Sequence, residues 1–418
     1  MNNSFLKINN LFLLFFLFYL TLIIGFIFDE NLNSGALPDW ETSDYTVIND
    51  FSLNFKETFF NYDSYGHRHS PVYLIFLSLL KKIGFTPDLI RFVNLNISLL
   101  LILFFYKCLI LKFDNVDKSL LFLLSLSIFL SPTFRSLAIW PSSRLIGLIF
   151  FVVSIYEFLK FLKTKKKLHV WKNIIFLILS SYISPNFSVF ILFFGYHYSK
   201  NINIKFLSQI FFFCLFCSIP ALYYLFYLDI NFLLGKTPGL GSSEIMSLSF
   251  NLSNKILLIS SIIFFHFLPF LIDKKILENI IYCKKKNFFL AIIFLIANLI
   301  FFNYSINYTG GGAFFQISNI IFDNNIFFYL VSFFSLLIII HFSSEDLSNF
   351  LIFFILIVSN IQNTIYHKYY DPLVLILFFT LLNTSLNLKF FKNKFNIIYV
   401  FGFYVVYVLM RVVKIYFL

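Results

Sequence analysis

The feature that most constrains this chain is the recurrence of apolar runs long enough to cross a membrane. The first, 11–28, is 18 residues without a charge, and comparable runs follow along the whole length. A helix spans the hydrocarbon core with about 17–25 apolar residues, and inside lipid a helix satisfies its own backbone hydrogen bonds. Composition closes off the soluble alternative. The chain is 59% hydrophobic and only 12% charged, with 65 phenylalanines among 418 residues, whereas about a quarter of an ordinary globular chain is charged. Run 11–28 exceeds the core of a secretory signal and lacks a small-x-small cleavage site, so it reads as an uncleaved anchor.

Orientation follows from the basic residues, which accumulate on the cytoplasmic side of membrane proteins. The lysine clusters at 163–172, 274–286 and 389–394 separate apolar runs and are expected to face the cytoplasm. Working outward from them predicts an all-α polytopic membrane protein of about thirteen transmembrane helices, from 8–28 and 89–107 to 373–386 and 396–415. The N-terminus lies inside and the C-terminus outside, with residues 1–418 forming a single transmembrane domain. Segment 29–88 is then a long first outer loop carrying juxtamembrane helices. Within it, 72–84 is too short to span and holds Lys81 and Lys82, so it is expected to lie in the interface. Run 173–198 is expected to split at Ser184-Pro185, because proline disfavours helix at the preceding residue. The net charge of +12 therefore reflects topology and anionic headgroups of the bilayer, not a nucleic-acid partner. Cys214-x-x-Cys217 sits inside an apolar run, where helix packing explains it better than redox chemistry. A bacterial inner membrane is the expected location.

Polar chemistry concentrates in 29–88. Asp29, Glu30, Asp39, Glu41, Asp44, Asp50, Glu57, Asp63 and Asp88 are nine of the chain's 20 acids. Asp39-Trp40-Glu41 and Asp44-Tyr45 precede an amphipathic stretch over 47–60, and Tyr65-Gly66-His67-Arg68-His69-Ser70-Pro71 leads into the short helix. Acids, histidines and an arginine are thus gathered beside one membrane surface. A solvated loop would be polar in any case, so both a site and a hydrated loop remain open here. His67 and His69 either bind an anion or satisfy loop carbonyls.

The sequences SDYTVINDF, HSPVYL, PDLIRFVNLNISLLLILFFY and SPTFRSLAIWPSSRLIGLIFF follow one another in an order and spacing that resembles the integral-membrane glycosyltransferases of GT-C fold. The first stretch is similar to the acidic outer loop of the mannosyltransferase-like members. The likeness spans about residues 10–200 and returns at HKYYDPL, 367–373. It implies transfer of a sugar from a polyprenyl-phosphate donor to a glycan, lipid or protein acceptor on the non-cytoplasmic face, with inversion. It implies Asp44 as general base, with Glu41 beside it positioning the acceptor or a divalent cation. Arg135, Arg144, Lys236, His367 and Lys368 would hold the donor phosphate, with snorkelling to headgroups as the plain alternative for each. Tyr45, Asp50, His67, Arg68 and His69 would contact the acceptor or order the loop. The chain departs from the pattern at Thr42, where an acid is usual, and at 131–144, which has two arginines and no acid.

Other motifs carry less. Gly235-Lys236-Thr237 lacks the earlier glycine of a phosphate-binding loop. Gly310-Gly311-Gly312 is either a flexible hairpin or a place of close backbone approach. No cytoplasmic stretch is large enough to hold a nucleotide-sugar fold. An O-antigen-type polymerase shares lipid-linked glycans and draws support from the arginines at 131–144. A transporter would place ionisable groups within spans, where His266 is the main candidate.

Overall fold

Helix after helix starts where the sequence supplies a hydroxyl residue followed by proline. The computed structural model describes residues 8–32, 35–67, 70–230, 251–272, 285–305, 310–360 and 362–417, and no β-strand occurs among them. Ser70-Pro71, Thr86-Pro87 and Ser131-Pro132 hold the hydroxyl residue at ψ 137, 162 and 119, and its side chain accepts from Val72, Leu89 and Phe134. Proline forces the residue before it out of the helical region, and at the first helical position its missing N–H is not needed. The hydroxyl satisfies one of the remaining orphan donors. Ser184-Pro185 likewise ends one helix at Ile183 and restarts the chain as a 3₁₀ turn over Pro185–Phe190, as the sequence predicts.

Among the described residues, seven helices are long and apolar enough to cross a membrane: Asn10–Ile27, Pro87–Lys112, Ser143–Thr164, Ile204–Tyr227, Leu252–Phe270, Ile326–Glu345 and Asn396–Tyr416. Lys118–Leu130 and Pro132–Ile139 would make an eighth as one broken span, bent by 68° at Ser131-Pro132. The all-helical multi-pass class holds, but these do not reach the expected thirteen. The difference arises where hydropathy is continuous and the helix is not. Expected span 373–386 contains a helix of only 8 residues, Leu373–Thr380. The apolar run at 350–361, which counts as one of the thirteen in the sequence, overlaps a helix of only 12 residues, Leu347–Val358.

The chain divides into two compact units, Met1–Leu240 with Tyr404–Leu418, and Gly241–Phe403. In the first, α1 (Ile8–Ile27) leads into a run of short helices, α2 (Ala36–Asp39), α3 (Tyr45–Leu53), α4 (Phe55–Phe60) and α5 (Pro71–Lys82). Then come α6 (Pro87–Lys112), α7 (Lys118–Leu126), α8 (Pro132–Ile139), α9 (Ser143–Thr164) and α10 (Lys167–Ile183). Helix α9 ends on Lys165 in the left-handed region (φ 56), and the short turn brings α10 back against it. Small residues allow the approach: a Cβ on Gly147 would stand 2.6 Å from Cβ of Ser184. Ser180 donates to the Gly147 carbonyl at 2.7 Å, and Asn173 donates to the Ser154 carbonyl at 2.9 Å. Close backbones with polar cross-links are how helices associate where lipid removes the hydrophobic drive.

Every residue of α8 is buried, although 131–144 reads in sequence as an outer loop. Its C-terminal carbonyls are therefore met by side chains. Asn94 donates to Leu137 O at 3.0 Å and to Ala138 O at 2.7 Å, and Arg91 Nε to Ile139 O at 3.4 Å. These are orphan acceptors of a helix end, and the guanidinium also suits the negative end of the dipole.

In the second unit the helix Leu252–Phe267 is largely buried. Gly310, Gly311 and Gly312 all have positive φ (101, 80 and 80). The Gly311 N–H donates to Ile365 O at 2.8 Å, and a Cβ on Gly310 would stand 2.5 Å from that oxygen. The glycine run is thus a place of close backbone approach, made by the chain itself.

Candidate active site

The expected base lies on a π-helical turn. Residues Trp40–Asp44 form one wide turn between α2 and α3, closed by the Tyr45 N–H bonding to Trp40 O. Thr42 donates to Pro38 O at 2.7 Å and Ser43 to Asp39 O at 2.9 Å; hydroxyls that bond back to the helix in this way bend it. Such turns insert a residue into the helical register and are frequent at functional sites. Here the wider turn directs Trp40 and Asp44 inward together with Val47, Ile48 and Phe51, while Glu41 and Thr42 face solvent. The sequence places Glu41 beside Asp44 as a partner; the turn puts one outside and the other inside.

Asp44 is 5% exposed, and its Oδ1 lies 3.0 Å from His67 Nε2. The imidazole reaches that position because Gly66 takes a left-handed φ of 62 after the 3₁₀ turn Tyr62–Tyr65, its N–H bonded to Asp63 O at 3.0 Å. A β-carbon is disfavoured in that conformation and glycine is not. Tyr62 is fully buried and lies nearly parallel to the imidazole, centroids 6.0 Å apart. From α5, Tyr73 donates to Asn94 at 2.7 Å.

Burial pushes the Asp44 carboxyl above its ordinary value. The hydrogen bond and charge of His67 pull it back, Asp39 pushes it up and Arg144 pulls it down. For His67 burial acts downward, but the bond and charge of Asp44, with the Ser43 main chain and Asp39, carry it above its ordinary 6.5. The same burial, with Asp44 near, raises the Tyr62 and Tyr73 hydroxyls, so both stay neutral.

The remaining predicted residues divide. Tyr45 accepts from Lys81 Nζ at 2.7 Å, which ties the turn to α5. Asp50 accepts from Tyr65 OH at 2.7 Å and fastens α3 to the 62–65 turn. Arg144 stands in the first turn of α9, half-buried. Arg135 is committed elsewhere: Nε and Nη2 each bond Glu30 at 2.6 Å, Nη2 also bonds Thr21 O at 3.0 Å, and Nη1 bonds Thr21 Oγ1 at 3.1 Å and Phe129 O at 3.5 Å. That accounts for all five N–H groups of a guanidinium. Expected as a phosphate ligand, Arg135 instead acts within the fold. Arg68, His69 and Lys236 lie outside the described residues.

His367 and Lys368 belong to the second unit. His367 Nε2 is 3.0 Å from Nε2 of buried His266, and Lys368 Nζ lies 5.1 Å from the centre of the Tyr366 ring.

Sequence reasoning missed the use made of Asp29 and Glu30, which it counted only among loop acids. Arg91 pairs with Asp29 at 2.6 Å and Asp88 at 3.1 Å and lies 3.7 Å over the Trp140 ring. The indole N–H of Trp140 donates to Glu30 O at 3.0 Å. The only sequence signal was two acids directly after an apolar run. Among the described residues no three His, Cys, Asp or Glu side chains gather as ligands for a metal ion. No protein-family model, curated protein or solved structure matches this chain.

Proposed function

We propose that this protein is an integral-membrane glycosyltransferase that moves a sugar from a polyprenyl-phosphate donor to an acceptor hydroxyl, with Asp44 as general base. The observation that carries the reading is Asp44 itself, a buried carboxylate paired with a titratable imidazole in the segment between the first two long apolar helices. The sequence resemblance to the GT-C enzymes adds the donor class. In the reaction the acceptor oxygen attacks the anomeric carbon and its proton passes to Asp44. The bond from that carbon to the phosphate oxygen breaks, and the electron pair leaves with the polyprenyl phosphate. One attack from the opposite face inverts the anomeric centre. Phosphate is a good leaving group and needs no acid, so one base and cationic neutralisation suffice. Among the described residues of the first unit predicted to hold phosphate, Arg144 is the one whose charge acts on Asp44.

The test is transfer by purified protein from polyprenyl-phosphate sugars to acceptor, wild type against Asp44→Asn. Asparagine keeps the size but cannot take the proton, and loss of general-base help lowers a rate by about 10²–10⁴-fold. Undiminished transfer by the variant overturns the assignment of Asp44. The reading also places 29–88 on the non-cytoplasmic face, so a cysteine at Ser64 labels with an impermeant reagent and one at Thr164 does not.

A transporter is the second reading, favoured by Lys255 and His266, both buried within the span Leu252–Phe270. Ionisable groups in spans mark transport paths. Substrate-dependent uptake into vesicles without transfer chemistry would establish it.

A further inference from the structure

The pair Asp44–His67 carries one step more, which rests on the reading of Asp44 as base. A buried carboxylate tends to take up a proton, because burial penalises its charged form, and a protonated Asp44 accepts nothing from a hydroxyl. Something fixed must hold it ionised. His67 Nε2 stands 3.0 Å from Asp44 Oδ1, and both side chains are buried. At that distance an imidazolium is the form of the ring that offsets what burial takes from the charged carboxylate. The stacked Tyr62 ring and the left-handed Gly66 fix the imidazole in this position. Asp44 closes the π turn, so the cation is held against the end of that turn beside the carboxylate.

We propose that His67 is a positioning residue whose imidazolium, held 3.0 Å from the buried carboxylate, keeps Asp44 ionised for proton abstraction. The proton of the acceptor hydroxyl then goes to Asp44 and not to His67, because an imidazolium has no lone pair left to take it. Other charged or titratable groups bear on the pair from each neighbouring element: Asp39 from α2, Arg144 from α9, Tyr62 from the 3₁₀ turn and Tyr73 from α5. The two tyrosines are neutral, and Asp39 and Arg144 act in opposite senses.

The experiment uses the full chain in lipid nanodiscs, with ¹⁵N-histidine spectra and transfer rates recorded against pH for wild type, His67→Gln and Asp44→Asn. Glutamine leaves a neutral N–H donor near the position of Nε2, and its difference spectrum assigns His67 among the seven histidines. The His67 signal is expected to be imidazolium at neutral pH in wild type and to titrate at lower pH in Asp44→Asn. Without the cation Asp44 ionises less readily, so the acid limb of the rate profile in His67→Gln moves up by about one pH unit or more and activity recovers at high pH. A neutral ring in wild type at neutral pH overturns the proposal. So does a His67→Gln rate lowered equally at every pH, the signature of a role in folding alone. If wild type transfers from no lipid-linked donor while the imidazolium signal is present, the transferase reading fails and the ionised pair stands. The Asp44→Asn spectrum keeps the test decisive should His67→Gln fail to fold.

Discussion

In the first unit Glu30 meets Arg135 and Asp44 meets His67, and the two pairs differ in whether their cation can lose its charge. Arg135 spends all five N–H groups, two on Glu30 and the rest on Thr21 and Phe129. Guanidinium stays protonated throughout the accessible pH range, so this pair is permanent. Asp44 has an imidazole partner at 3.0 Å, and imidazole changes charge near neutrality. The first arrangement fastens the end of α1 to α8. The second holds a charge that proton chemistry can use. Glu30 is half-buried against a buried Arg135, whereas Asp44 and His67 are both buried; what separates the two pairs chemically is whether the basic partner can titrate.

The sharpest break of this comparison removes one member of each pair. Arg135→Ala leaves Glu30 without its cation in a half-buried position, and breaking a buried pair typically lowers stability by about 3–5 kcal/mol. The expected result is loss of the folded protein in detergent, read as a lowered Tm. Replacing both partners by apolar residues, Glu30→Leu with Arg135→Met, should recover most of it. Asp44→Asn should behave oppositely, because His67 can shed its proton: Tm changes little while transfer is lost. A Tm drop in Asp44→Asn as large as in Arg135→Ala would erase the distinction.

A smaller effect is expected at Gly25. A Cβ there would lie 2.8 Å from Glu30 Oε2 and 3.1 Å from Arg135 Nη2, so Gly25→Ala should crowd the permanent pair and destabilise by about 1–3 kcal/mol. No such change follows at Gly195, where nothing lies within 4 Å of the added carbon. Thermal unfolding of the two variants side by side measures the difference.

Next in size is a pH dependence confined to the titratable pair. The folded-state pKa of His67 is raised above 6.5. Its contribution to stability is therefore fully present below that ordinary value and is lost as pH rises through the raised one. Unfolding followed across that window should show the slope in wild type and a flatter line in His67→Gln; an unchanged slope would assign it to other groups. The smallest effect belongs to Glu41→Gln. Glu41 is exposed on the π turn, so its charge is screened by water and transfer should hardly change, well short of the loss in Asp44→Asn.

What the sequence determined by itself is what depends on neighbours along the chain. Helix class follows from apolar runs, and the starts at Pro71, Pro87 and Pro132 follow from backbone restrictions that act over two or three residues. The acids of 29–88, with Asp44 and Arg144 among the candidates, were legible from composition and resemblance. Span count was less so, because hydropathy averages across breaks such as the 68° bend at 131–132. Tertiary structure alone decided partnership. Arg135 finds Glu30 across 105 residues of sequence, and His67 reaches Asp44 by way of a left-handed glycine and a π turn that no periodicity announces. A side chain's type states which bonds it can make, whereas which groups come within 3 Å of it depends on how distant segments pack. That is why Asp44 could be nominated from sequence while its partner, and the diversion of Arg135 from phosphate to Glu30, could not.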